Sequence, residues 1–467
     1  MGQRRQGQPV PADGPENSNG AERWRQGRDR QFSPQVVARY GYWRRRLLFV
    51  LILGYAAFYL VRQNMQVAVP FMLQEFGCSK TQIGWVFSAF PIVYGFGKFA
   101  SGALCDRVNV RYYMASGLAL AALASAMIGL SPFLSVLCGA VFSPLLLIAI
   151  FYSFNGLFQS AGWPPIARLM TNWFSPRQLG TYWGVVNASH QVGSVAILLG
   201  GAWLGQHWGW RSIFFVPAAI CLLISLILGR LLCDTPESEG LPPLEVYEGL
   251  RRPSQSSDGS AAGHATFREI FCRYILPNRP LWVLCGANFF LYVVRMGFFN
   301  WAPTYLQEAR GSSAMGSSVQ TSLFELAGLV AGILAGYISD RWAGGKRNAV
   351  CAVFVSLLLL CLFGFWKVPA GHPLLDTLLL TVIGFFVYGP QMLAGVAGAE
   401  LGSGRAAATA NGLTGLFGYL GAIFSGFGVG LITDHMGWER AILFYIFCAF
   451  ASMVLFAMNW PQTAQKK

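Results

Sequence analysis

The chain has 467 residues, 54% of them hydrophobic and only 12% charged, where soluble domains carry about a quarter charged residues; its mean hydropathy is +0.46. This composition excludes a soluble globular domain and indicates a polytopic membrane protein. The net charge of +14 does not point to nucleic acid, because the basic residues collect in the N-terminal tail and in the loops.

Residues 1–46 carry ten Arg and four acidic residues among Pro, Gly, Asn and Gln. They read as a disordered basic tail, held in the cytoplasm by the tendency of positive charge to stay inside. Polar from the start, the segment shows no cleavable signal. Six apolar runs follow at about 47–70, 82–104, 112–131, 133–158, 179–203 and 212–233. A polar linker spans 234–280. Six more runs lie near 281–304, 318–339, 348–366, 375–398, 407–431 and 440–460, before a short tail, 461–467. Each run is long enough to cross a bilayer. The expected architecture is all-α, with twelve transmembrane helices in two six-helix halves, 47–233 and 281–460.

The halves repeat one another. Gly102-x-x-x-Asp106-Arg107 matches Gly336-x-x-x-Asp340-Arg341 at an offset of 234, and Gly209-Trp210 matches Gly437-Trp438 at 228. Repeats of this length signal a transporter with its site between two parallel halves. Of the 34 Lys and Arg, 26 fall in the tails, the linker and the loops on their side of the membrane. Five fall on the opposite side, so both termini are expected in the cytoplasm. The remaining three, Arg62, Lys98 and Arg295, lie inside spans, and the two arginines repeat at an offset of 233. A guanidinium in hydrocarbon costs at least ~2.5 kcal/mol, so each needs a partner or a watery cavity.

Helical spacing shows what accompanies these cations. Tyr55, Tyr59 and Arg62 form one stripe; Tyr94 and Lys98 share a face, as do Asn187, His190 and Ser194, and Asn288, Tyr292 and Arg295. Gln159, Trp163, Tyr388, Gln391 and Tyr419 complete a polar, aromatic lining. Only one acid, Glu325, lies clearly mid-membrane, too few to neutralise three cations. The missing counter-charge reads as a bound anion, and two guanidinium forks suit a phosphate. Glu325 is expected to pair with one of the cations when the site is empty. The Asp106-Arg107 and Asp340-Arg341 turns read as gating or topology elements. The ten Cys are scattered without metal-ligand spacing, and neither a catalytic nucleophile–base pair nor a phosphate-cradling loop stands out. A non-enzymatic protein without metal or cofactor is expected.

The duplicated G-x-x-x-D-R turns resemble those of the major facilitator superfamily. YLVRQN, YGFGKF, GLFQSAGWPP, NASHQVG, YVVRMGFFNWAPTYL, YGPQMLAG and NGLTGLFGYLG resemble, in order, its organophosphate:inorganic phosphate antiporters, most of all bacterial glycerol-3-phosphate transporters. The likeness spans about residues 40–460. It implies that Arg62 and Arg295 bind phosphate, that Lys98 and His190 support them, and that Tyr55, Tyr59, Tyr94, Asn187, Tyr292, Tyr388 and Tyr419 line the cavity. Two positions depart from the family: Gln63 stands where Lys is common, and Asn300 where glycerol-phosphate members have Asp. Hexose-phosphate transporters resemble one another in a charged Asp and Lys in the eleventh helix, where this chain has Asn411 and Thr414. The expected function is exchange of inorganic phosphate for a small ester, glycerol 3-phosphate first and a hexose 6-phosphate next, by a monomer in the inner membrane. A sugar-phosphate sensor that signals without transport is the remaining alternative.

Overall fold

The computed structural model describes residues 32–248 and 271–460, apart from Asp106 and Ala140. The basic tail to residue 31, linker residues 249–270, the C-terminal tail and the Asp106 turn acid therefore lie outside the described residues; residues 34–46, expected within the disordered tail, are instead the start of the first helix, with Tyr40 buried. The first half comprises α1 (Pro34–Leu60), α2 (Asn64–Phe76), α3 (Lys80–Cys105), α4 (Val110–Leu137), α5 (Pro144–Gln159), α6 (Trp163–Trp173), α7 (Pro176–Trp208) and α8 (Ser212–Leu231). A short α9 (Leu244–Tyr247) follows. The second half comprises α10 (Arg279–Glu308), α11 (Ala314–Arg341), α12 (Arg347–Lys367), α13 (Pro373–Leu401) and α14 (Ser403–Met458).

Among the described residues, ten stretches are long and apolar enough to cross a membrane. The twelve expected crossings are nonetheless present. The last stretch, Thr409–Met458, breaks at Gly437 (φ 78°, ψ 174°) and so contains two spans. The other is α7, a 33-residue helix that is not among the ten because polar residues such as Asn187, His190, Gln191 and Ser194 interrupt its apolar run. The repeat seen in sequence reappears in packing: α4 rests on α5 and α8, and the matching α12 rests on α13 and α14.

Two spans of the first half are broken where their counterparts are continuous. The first crossing runs from Pro34 to Phe76 but leaves the helix at Val61–Gln63. There the amides of Arg62 and Gln63 both turn back to the Tyr59 carbonyl. The Phe58 carbonyl thereby loses its helical partner, an expensive loss inside a membrane. Gln159 supplies the replacement, donating Nε2 to Phe58 O at 2.8 Å. Gln159 itself ends α5 at the break of the fourth crossing, where Ser160–Gly162 form tight turns before α6. The two irregular spans brace one another.

The fourth crossing also corrects the sequence reading. The expected runs 112–131 and 133–158 part at Pro132, yet α4 continues to Leu137. Proline at 132 cannot donate to the Ile128 carbonyl, and the Ser131 hydroxyl donates to it instead at 2.7 Å. The turn falls at 138–143, closed by Ser143 as N-cap with Pro144 beginning α5. The fourth crossing is therefore Pro144–Trp173, shifted by about three turns from the expected 133–158.

Residues 234–248, read as the start of the linker, pack onto the first half. Tyr40 stacks on Tyr247 with centroids 3.7 Å apart and donates to the Pro242 carbonyl at 2.5 Å. Arg44 pairs with buried Glu248 at 2.8 Å, and Arg168 with Asp234 at 3.8 Å.

The halves meet mainly along α3 and α14. At the end remote from the chain termini, Asp434 accepts from the Lys80 amide at 3.0 Å and from the Thr81 amide and hydroxyl at 2.6 Å each. Lys80 pairs with Glu308 across the same seam at 3.1 Å. Gly84 and Gly426 then bring backbone against backbone, so close that a Cβ on Gly84 would lie 2.5 Å from the Gly426 oxygen. Ser88 donates to Ile423 O at 2.7 Å and accepts from the Phe427 amide at 3.0 Å. The seam runs on to Tyr94 and Lys98, both against Tyr419. Beyond it, a Cβ on Gly102 or on its counterpart Gly336 would meet nothing within 4 Å. Among the described residues, the bonds that join the halves thus gather toward the far end, and the bundle parts toward the terminal end.

Candidate substrate site

The parting encloses a cavity of about 840 Å³. Arg62, Lys98, His190, Arg295, Tyr55, Tyr59, Tyr94, Asn187, Tyr292, Tyr388 and Tyr419, all expected from sequence, line it together. Gln159 does not; it is spent on the Phe58 carbonyl. Neither Asn411 nor Thr414 reaches the wall: Thr414 is 1% exposed and bonds its own helix at Ala410 O. The neutral character of those two positions therefore says less about the substrate than their family counterparts imply.

Each cation is packed on aromatic faces. The Arg62 guanidinium lies 5.2, 5.0 and 4.7 Å from the rings of Tyr59, Phe90 and Tyr94. Arg295 lies 5.6, 5.8 and 4.7 Å from Tyr292, Phe299 and Tyr388. Ring quadrupoles replace part of the lost hydration without supplying a negative charge. Lys98 donates to the Tyr419 hydroxyl at 3.3 Å. His190, its Nδ1 against the Asn187 carbonyl, sits 4.9 Å from the Tyr59 ring and 6.0 Å from Tyr55. Among the described residues, no carboxylate lies within ion-pair distance of Arg62, Lys98 or Arg295. Three cations thus face one cavity with no direct counter-ion.

The expected pairing of Glu325 takes an indirect form. Tyr388 donates to Glu325 Oε1 at 2.7 Å, and Arg295 Nη2 donates to that same hydroxyl at 3.4 Å. Glu325 is 1% exposed, and Tyr388 stands between acid and guanidinium. Gly328, one turn along α11 from Glu325, permits this: a Cβ there would overlap the Tyr388 ring at 2.5 Å. The turn residues lie elsewhere. Asp340 pairs with Arg347, which also holds Glu400 at 3.2 Å, while Arg107 and Arg341 are exposed. Two wall residues outside the expected stripes, Gln191 and Asn300, escaped the sequence reading of the lining because an amide beside a stripe carries no periodic signal. Asn300 was singled out only as a departure from the family.

The Major Facilitator Superfamily model matches residues 51–426, most of the chain. The protein is a major facilitator. Within that superfamily it belongs with the organophosphate:inorganic phosphate antiporters. It is 37% identical over 438 residues to a probable hexose phosphate transport protein of Chlamydia pneumoniae, covering 92% of this chain and 93% of the relative. It is 38% identical over 429 residues to the glycerol-3-phosphate transporter of Bacillus subtilis, covering 91% and 94%. In fold it is similar to a bacterial homolog of the human lysosomal transporter Spinster in an inward-facing, occupied conformation, at a TM-score of 0.71 and 14% identity, over 89% of this chain and 97% of that one. This major facilitator is a multi-pass membrane protein of a transporter family, not an enzyme.

Proposed function

We propose that the chain exchanges inorganic phosphate for a small phosphate ester by alternating access, with glycerol 3-phosphate as the leading substrate and its termini in the cytoplasm. The observation that carries this reading is the set of three cations around one cavity, without a direct carboxylate partner among the described residues. Arg62 and Arg295 belong to opposite halves, so closing the empty site toward the terminal end brings like charges together. A phosphate between them favours closure by differential binding, the only means by which a ligand shifts such an equilibrium. The empty carrier then returns slowly, and transport is exchange.

A hexose 6-phosphate is the second reading. It is supported by a relative of that name at 37% identity and by a cavity with room for either ester. Proteoliposomes loaded with phosphate test both. Labelled phosphate is expected to enter only against internal phosphate or ester, and counter-flow should be faster with glycerol 3-phosphate than with glucose 6-phosphate. Equal efflux into phosphate-free buffer would refute exchange, and faster hexose counter-flow would reverse the order of substrates.

A further inference from the structure

Three side-chain atoms on the cavity wall are buried without a hydrogen-bond partner: Arg295 Nε, Gln191 Oε1 and Gln391 Oε1. The first is a donor and suits a phosphate oxygen. The other two are acceptors, turned into the wall as the amides stand; turned toward a phosphate dianion they would set lone pair against lone pair. Gln191 is 4% exposed, so its amide has no bulk water to turn to. Gln391 is fixed by donating Nε2 to the Tyr292 hydroxyl at 3.2 Å.

Their heights are matched. Tyr292 lies three residues before Arg295 on α10, about 4.5 Å toward the open end. Gln391 lies three residues beyond Tyr388 in the same direction along α13. Across the cavity, Gln191 follows His190, whose ring touches Tyr59, one turn to the open side of Arg62. An ester whose phosphate bridges the arginines would project its organic part between these two amides.

We propose that Gln191 and Gln391 bind the hydroxyl groups of the ester, so that the carrier selects polyol and sugar phosphates over esters that lack hydroxyls. A hydroxyl both donates and accepts, so it satisfies either amide whichever way its oxygen and nitrogen are turned. An alkyl group satisfies neither. The inference rests on the proposed phosphate site and adds to it the chemical class of the organic part.

The test is competition against labelled phosphate exchange by glycerol 3-phosphate and by ethyl phosphate, which has the same phosphate group and no free hydroxyl. The wild type is expected to favour glycerol 3-phosphate by about tenfold, a few-fold for each hydrogen bond. In the double variant Gln191→Met, Gln391→Met, of similar length without the amide, the preference should fall to within about twofold. A wild type that does not distinguish the two esters, or a double variant that keeps the full preference, overturns the assignment. If the double variant does not fold, the single variants decide, each expected to lose about a threefold share. If the wild type exchanges no phosphate, the proposed function fails. Thermal stabilisation of the wild type by the two esters then judges the hydroxyl site alone, with equal stabilisation overturning it.

Discussion

Arg62 and Arg295 occupy matched positions in the two halves, yet they are held by different means. Arg62 sits where its span leaves the helix, and the displaced backbone is secured by a side chain from the other broken span. Arg295 sits inside a continuous 30-residue helix and is tied through the Tyr388 hydroxyl to a buried acid. One arginine is positioned by backbone irregularity, the other by a hydrogen-bonded relay. The two halves repeat the charge and support it differently.

The strongest way to break the comparison is to remove either charge. Arg62→Ala and Arg295→Ala are each expected to lower phosphate exchange by more than about a hundredfold, since each loses a charge-assisted contact and leaves the opposite guanidinium without its shared ligand. Lysine should restore little, because an ammonium cannot reproduce the fork. Exchange near wild-type rate in either alanine variant, with protein present in the membrane, removes the shared phosphate site.

A change behind one arginine sharpens the contrast. With Glu325→Gln, the relay keeps its geometry and loses its charge. Phosphate should bind as well as or better than in the wild type, while turnover falls about tenfold because release loses its replacement partner. Binding and counter-flow on one preparation decide this; weaker binding with unchanged turnover shows that the acid does not act on Arg295.

The smallest effect concerns the other arginine's scaffold. Gln159→Leu strands the Phe58 carbonyl in a dry interior, which should cost about 1–3 kcal/mol of stability. Thermal unfolding in detergent measures it. Unchanged stability would mean that the broken span holds itself without this brace.

The sequence carried most of the cavity because its signals were chemical. A cation in an apolar run is conspicuous, and tyrosines at i, i+4 and i+7 from it fall on its face. What it did not carry was how the backbone departs from a straight helix. Gln159 looked like a lining residue because it is polar and in register; its real partner is a carbonyl orphaned by a break 101 residues earlier. The third and fourth runs part at Pro132 in the sequence because the Ser131 hydroxyl that keeps the helix intact there leaves no trace in periodicity. The start of the linker looked detached, since the stacking of Tyr247 on Tyr40 joins segments remote in the chain.

The far-end seam has a consequence for the membrane as an insulator. A cavity of this size, open at one end, leaves only a short barrier to small ions, and any side chain in that barrier able to swing aside would make it a leak. Between Gly84 and Gly426 the barrier is main chain against main chain, with the small Ser88 hydroxyl bonded to backbone beside it. Passage at that point requires the two helices themselves to part, which is what the proposed alternating access would do and what a swinging side chain could not.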